Sequence, residues 1–172
     1  MRNSRNSSGH TLIEMYYSTD YESPLGRMLI ASDGDAICGA WFYGQKHFPS
    51  TDFVADDDLA IFRKATCWLD DYFKGKNPKV DFKLKAQGSQ FRQRVWKILS
   101  EIPYGETRTY GEIAAMISPT MSAQAVGGAV GHNPISIIVP CHRVLGKDGK
   151  MTGYAAGIDR KIALLKLEGI DF

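Results

Sequence analysis

One run of this chain carries the residue types for covalent chemistry: Val139-Pro140-Cys141-His142-Arg143-Val144. A thiolate, not a thiol, is the nucleophile, and a neighbouring imidazole or positive charge is how a protein favours it. Ile135, Ile137, Ile138 and Val139 lead into the run, so a hydrophobic segment delivers the cysteine into a turn framed by proline. The proline ring fixes φ and turns the residue before it away from helix. A Cys-His pair alone also fits a structural cysteine beside a surface histidine, because free cysteine behaves as a small hydrophobe. The surroundings favour chemistry: Asn133-Pro134 lies upstream, Gly146-Lys147-Asp148-Gly149 downstream, and Glu168 sits in a helix-like tail.

The elements that must hold this run are readable in the second half. Gln87-Gly88 reads as a hinge, and Ser89 is suited to cap a helix carrying Phe91, Val95, Trp96, Ile98 and Leu99. Ile102-Pro103-Tyr104-Gly105 stops that helix. Thr109 caps the next, over 110–117, which ends before Pro119; Ser122 opens a third, over 123–130. Two short helices joined by a turn read as helix-turn-helix. The small residues of the second (Ala123, Ala125, Gly127, Gly128, Ala129) cost helix propensity. They fit either close helix–helix packing or close approach to another surface.

The first half reads as a scaffold. Strands are expected over 11–17, 28–31 and 36–42, with turns at 21–26 and at Asp33-Gly34, giving an antiparallel sheet. Leu59, Ile61, Phe62, Ala65, Trp68, Leu69, Tyr72 and Phe73 follow a helical period, closed by 75–78. Asp56, Asp57 and Asp58 fit a solvated helix start better than a metal site. Val80, Phe82 and Leu84 alternate with charged residues as a further short strand would.

Composition bounds the rest. At 172 residues with 44% hydrophobic content the chain suits one large or two small globular domains, not a disordered polymer. No apolar run is long enough to span a bilayer, and residues 1–9 are polar, reading as a disordered leader and not a signal peptide. Cys38, Cys67 and Cys141 are odd in number and widely spaced, which argues against a disulfide framework and for a reducing compartment. His10, His47, His132 and His142 are scattered, and no metal site is expected by spacing. Net charge is +2, divided as −1 up to Ala86 and +3 beyond it, which permits contact with DNA without demanding it.

Five ordered motifs, covering about the last half of the chain, resemble the bacterial O6-alkylguanine-DNA alkyltransferases. They are Phe91 with Val95-Trp96, Gly105-Glu106-Thr107-Arg108-Thr109-Tyr110, the run from Gly127-Gly128 to Asn133-Pro134, Pro140-Cys141-His142-Arg143-Val144, and Gly153-Tyr154. The resemblance implies an α+β protein. A small N-terminal antiparallel-sheet domain over 10–86 would be ribonuclease H-like, and a mostly helical domain over 87–172 would carry the helix-turn-helix. It implies a monomeric, cytoplasmic repair protein on double-stranded DNA, with no cofactor and no membrane partner. The second helix would enter the minor groove, where insertion unstacks the duplex, and the damaged base would swing out into a pocket. Cys141 would take the alkyl group from O6-alkylguanine, and from O4-alkylthymine, irreversibly and once. His142 would take the thiol proton through a water, Glu168 would orient the imidazole, and Asn133 would brace the turn. Tyr110 would help rotate the nucleotide and hydrogen-bond the base; Ser122, Ala123, Gln124, Gly127, Gly128 and Arg143 would meet DNA. Val130, Ser136, Val144, Gly153, Tyr154, Ala155 and Ala156 would wall the pocket, the methyl of Ala156 narrowing it against bulky groups. Where the family carries an arginine to fill the gap left by the base, this chain has Gln124, which implies weaker or more salt-tolerant DNA binding. Three other readings compete: a reader of alkylated bases without transfer, a helix-turn-helix regulator, and a cysteine hydrolase.

Overall fold

The structure, a computed structural model, describes residues 15–171 in full and the backbone of Asn3–Arg5 and Thr11–Ile13. Those two short segments, β1 and β2, pair antiparallel. The rest of the leader lies outside the described residues.

The main sheet contains β3 (Tyr17–Ser23), β4 (Gly26–Ser32), β5 (Ile37–Phe42) and β6 (Val54–Ala55), in the order β5-β4-β3-β6. The hairpin at Asp33-Gly34 forms as expected, with Gly34 at φ +103° and the Asp33 carboxylate accepting from the amides of Asp35 and Ala36. Four expectations are corrected. The strand expected over 11–17 is not continuous, since Met15 and Tyr16 belong to no strand and β3 begins at Tyr17. The turn at 21–26 shrinks to Pro24-Leu25, because Tyr21↔Met28, Glu22↔Arg27 and Ser23↔Gly26 continue the antiparallel ladder. Val80, Phe82 and Leu84 form no strand; only Leu84 bridges β5, through Ile37 N to the Lys83 carbonyl and Lys85 N to the Ile37 carbonyl, both 2.8 Å. The sheet is not wholly antiparallel either, since β6 runs parallel to β3.

Helix α1 (Ala60–Phe73) lays Phe62, Ala65, Trp68, Leu69 and Tyr72 on the sheet, where Met28, Ile30 and Phe42 are fully buried. Asp56, Asp57 and Asp58 precede it and leave its first turn without an acid. Asp57 instead accepts from the Thr19 hydroxyl at 2.7 Å, tying the approach to β3. Among the described residues no three His, Cys, Asp or Glu side chains are grouped to hold a metal.

After the loop at 87–88 come α2 (Gln90–Ser100), β7 (Arg108–Thr109), α3 (Tyr110–Ile117) and α4 (Ala123–Gly131). Ser89, Thr109 and Ser122 each accept a backbone N–H of the first turn they cap, at 3.2, 3.1 and 3.0 Å. Buried Trp96 of α2 donates its indole N–H to the Ala129 carbonyl at 2.8 Å, locking α4 in place. A 3-10 turn at Cys141–Arg143, β8 (Val144–Leu145), a second 3-10 turn at Lys147–Gly149 and α5 (Ile158–Leu167) complete the fold. One continuous hydrophobic core runs from Met28 and Phe62 through Val95 and Leu99 to Val144 and Leu164. The architecture is mixed α+β, with the sheet in the first half and helices dominating the second.

Candidate active site

The cysteine turn is built onto the edge of the sheet. Ala40 of β5 donates its amide to the Pro134 carbonyl at 2.8 Å and accepts from Ser136 N at 2.9 Å. Buried Asn133 pins the next few residues: its side-chain amide donates to the carbonyls of Val139 (2.8 Å) and Ile135 (3.3 Å), and its oxygen accepts from Ile135 N at 3.0 Å. Between these anchors the chain makes two three-residue turns, Ile138 N to the Ser136 carbonyl and Cys141 N to the Val139 carbonyl. The first forces Ile137 to φ +70°, a conformation that costs a β-branched residue about 1–3 kcal/mol and persists only where its surroundings over-determine it. The second is centred on Pro140 at φ −82°, ψ 65°, the geometry of an inverse γ-turn. Cys141 thus opens the 3-10 turn almost fully buried. Beyond it, β8 pairs in parallel with β7, which sets Tyr110, at the start of α3, beside the cysteine turn.

A buried network stands behind the thiol. His142 Nε2 lies 2.6 Å from Glu168 Oε2, and the Tyr72 hydroxyl donates to the same oxygen at 2.6 Å. Arg143 donates through Nε to Oε1 at 2.8 Å and through Nη2 to Oε2 at 3.2 Å, while Gly105 N donates to Oε1 at 2.9 Å. Burial would raise the Glu168 pKa, yet hydrogen bonds from His142, Arg143 and Gly105 hold it at about 2. Burial pushes His142 the other way, below the usual imidazole range, against the pull of Glu168. The resting pair is therefore a carboxylate and a neutral imidazole. A carboxylate can only accept, so Nε2 carries the imidazole proton and Nδ1 is left as the basic nitrogen. Nδ1 is buried without a protein partner. Burial also pushes the Cys141 thiol up, opposed by Asn133, Lys161 and Tyr154 around the sulfur. The resting sulfur is thus a thiol that needs a base.

Cys141 lies in a cavity of about 280 Å³ that Tyr110, Gly127, Val130, Gly131, Asn133, Ser136, Gly153, Tyr154 and Ala155 also line, with exposed Lys46 and His47. Of the pocket residues expected from the sequence, Val130, Ser136, Gly153, Tyr154 and Ala155 take that place. Two are corrected. Val144 is fully buried in the core, and Ala156 is buried with its carbonyl accepting from Arg160 at 3.1 Å; neither lines the cavity, so the Ala156 methyl does not narrow it. Ser122, Ala123, Gln124 and Gly128 are exposed along α4, and Gly127 sits close enough to Tyr110 that a Cβ would meet its ring at 3.8 Å. Arg143 is not on that face. It is buried, with its guanidinium committed to Glu168 and, at 2.7 Å, to the Ile102 carbonyl. Glu168, a carboxylate at the end of α5, is buried and not solvated.

Sequence reasoning missed several contributors. Tyr72 read as core aromatic, since its spacing on α1 is that of a packing residue. Lys161 of α5 is fully buried, and burial lowers its pKa to about 8. The Gly105 amide reaches Glu168 only through the fold. Lys46 and His47 come from the first half: Lys46 N donates to the Ala155 carbonyl at 3.0 Å, and the His47 ring stacks on His132 at 4.0 Å. None has a local signal beyond residue type.

The fold and this site together define a buried thiol flanked by a histidine–carboxylate pair, opening into a cavity beside a helical surface, and comparison with known proteins shows the family. Residues 15–86 match the family described as 6-O-methylguanine DNA methyltransferase, ribonuclease-like domain, and residues 90–170 its DNA binding domain. A methylated-DNA–protein-cysteine methyltransferase of Methanosarcina acetivorans is 48% identical over 156 residues, covering 90% of this chain and 99% of the relative. One of Haemophilus influenzae is 45% identical over 157 residues, covering 91% and 88%. The crystal structure of Mycobacterium tuberculosis O6-methylguanine methyltransferase superposes with a TM-score of 0.81 at 47% identity, covering 90% of this chain and 93% of that one. The same organism's OGT in complex with DNA gives 0.79 at 47% identity, covering 90% and 92%. The chain belongs to the 6-O-methylguanine DNA methyltransferase family.

Proposed function

We propose that this chain repairs O6-alkylguanine in double-stranded DNA, and O4-alkylthymine, by one irreversible transfer of the alkyl group to Cys141. The observation that carries the reading is the Cys141 thiol in a cavity beside a neutral His142 whose Nε2–H is spent on a five-donor carboxylate. Nδ1 takes the thiol proton through a water; the thiolate attacks the alkyl carbon in line; the C–O6 bond breaks and guanine leaves with its electron pair. Glu168 stabilises the imidazolium, in the nucleophile, base and orienter logic of a triad. The product is a thioether that ordinary thiol reductants do not reverse, so each molecule acts once without cofactor or metal.

The cavity lies inside the protein surface, so the base must leave the stack to reach it. In this reading α3 and α4 act as a helix-turn-helix. The exposed Ser122–Gly128 face of α4 enters the minor groove, and Gln124 stands where the base was. The reading divides the chain into a ribonuclease H-like scaffold over 10–86 and an acceptor domain over 87–172, supported by family matches over 15–86 and 90–170, and has the protein act as a monomer in a reducing cytoplasm. Intact mass after mixing with a duplex holding one O6-methylguanine tests the reading. A gain of one methyl, about 14 daltons, at one equivalent and absent in Cys141→Ser, is the expected result. Binding without mass gain would instead make the chain a lesion reader.

A further inference from the structure

The transfer chemistry above leaves one buried charge unused. Lys161 is fully buried with no carboxylate at ion-pair distance among the described residues, an arrangement that costs free energy unless its donors are used. Its Nζ donates to two acceptors on the pocket loop, the Gly153 carbonyl at 3.4 Å and the Thr152 hydroxyl at 3.5 Å. Thr152 in turn donates to the Tyr110 hydroxyl at 3.1 Å. The Thr152 side chain is held in this rotamer from the other side, where its methyl packs so closely over Gly146 that a Cβ there would stand 2.5 Å away.

We infer that Lys161 and Thr152 are positioning residues that fix the direction of a hydrogen-bond chain ending at Tyr110, so that the Tyr110 hydroxyl turns its proton into the cavity. The inference rests on the proposed transfer to Cys141. An ammonium has three donors and no acceptor, whereas a hydroxyl has one proton to give. Once Lys161 donates to Thr152, the threonine proton goes to Tyr110. Having accepted there, the Tyr110 hydroxyl is left with its own proton, facing the cavity that it lines. In the transfer the thiol proton passes to His142, the alkyl carbon exchanges O6 for sulfur, and guanine carries off the electron pair and takes up, by way of water, the proton that the His142 imidazolium then releases. Atoms and charge balance without Lys161 or Thr152. Their part is to aim a donor at the base edge where negative charge gathers in the transition state, where a pre-set donor is worth more than one that must reorient. The lowered pKa of Lys161, about 8, leaves the ammonium as the main form at neutral pH.

The test is single-turnover transfer from an O6-methylguanine duplex, comparing Thr152→Val with Thr152→Ser. Valine keeps the branched shape and loses the hydroxyl; serine keeps the hydroxyl. The saturating rate should fall about tenfold in Thr152→Val, the factor that corresponds to about 1.4 kcal/mol of transition-state stabilisation. The half-saturating DNA concentration should stay within about twofold, and Thr152→Ser should recover most of the rate. A wild-type saturating rate in Thr152→Val, an equal loss in both variants, or a loss confined to DNA affinity would each overturn the inference. Wild-type protein that gains no mass would instead sink the transfer reading itself.

Discussion

Glu168 collects donors from three separate stretches of chain, and the charge that results decides how the site responds to single changes. Glu168→Gln keeps the shape, removes the charge and turns one acceptor oxygen into an NH2 donor, so the donors on one side of the group lose their acceptor, the His142 tautomer is held less firmly, and Arg143 is left buried without its counter-ion. Transfer should slow by roughly 10²–10⁴-fold, the range for losing oriented acid–base assistance. Stability should drop by about 3 kcal/mol, as when one partner of a buried ion pair is removed. Single-turnover rates and urea midpoints read the two effects separately. The same groups set an acid limit. The folded-state pKa of Glu168, about 2, lies below its ordinary value of 4.5, so its stabilising contribution is complete above that value and is lost as pH falls toward 2. His142 is also lowered, so below about pH 6.5 unfolding is favoured by the proton it then gains. The urea midpoint should therefore fall steadily from pH 7 to pH 3, and a flat profile would contradict the assigned charge states.

Helix α4 is the element most exposed to a single residue choice. Gln124→Arg should tighten duplex binding several-fold and steepen the salt dependence by about one unit of log–log slope, read by titration at several salt concentrations. An unchanged slope would mean that position 124 does not approach the phosphates. Ser122→Ala removes the side chain that accepts Ala125 N, and should lower stability by about 1 kcal/mol without touching the cavity, as a thermal melt would show. Caps are also where sequence reading succeeded: Ser89, Thr109 and Ser122 act on amides three residues away, so their signal is local and the starts of α2, α3 and α4 were legible. The failures are equally physical. Tyr21–Ser23 reads as part of a turn because its residues are polar and half-buried or exposed; what makes it strand is the main-chain ladder to β4. The stretch at 80–84 alternates like a strand but has only one sheet edge within reach, and that edge also receives Pro134 and Ser136. Cys141, His142 and Asn133 were legible because they are contiguous or anchored to a proline-marked turn. Lys161 was not, because a lysine in a helix ordinarily points to solvent.

Over the whole molecule, the two halves share the site. The first half supplies the β5 edge on which the cysteine turn is hung, Lys46 against the pocket loop, and the Tyr72 hydroxyl on Glu168. Tyr72→Phe should slow transfer by about tenfold, the effect of one lost hydrogen bond to a charged group, while leaving DNA affinity unchanged. A full-speed variant would show that Arg143, His142 and Gly105 hold the carboxylate without help. The Tyr72–Glu168 contact spans 96 residues of chain. Contacts of such separation close late, because the loop entropy must be met before they form. On the ribosome the order is starker still: Tyr72 emerges first, Cys141 next, and Glu168 only after another 27 residues of synthesis. Until then His142 lacks the carboxylate it meets in the folded chain, so on the proposed mechanism a nascent chain carries its nucleophile unarmed. If each molecule transfers once, as proposed, this order of synthesis withholds the reaction until the surface that recognises DNA is also made.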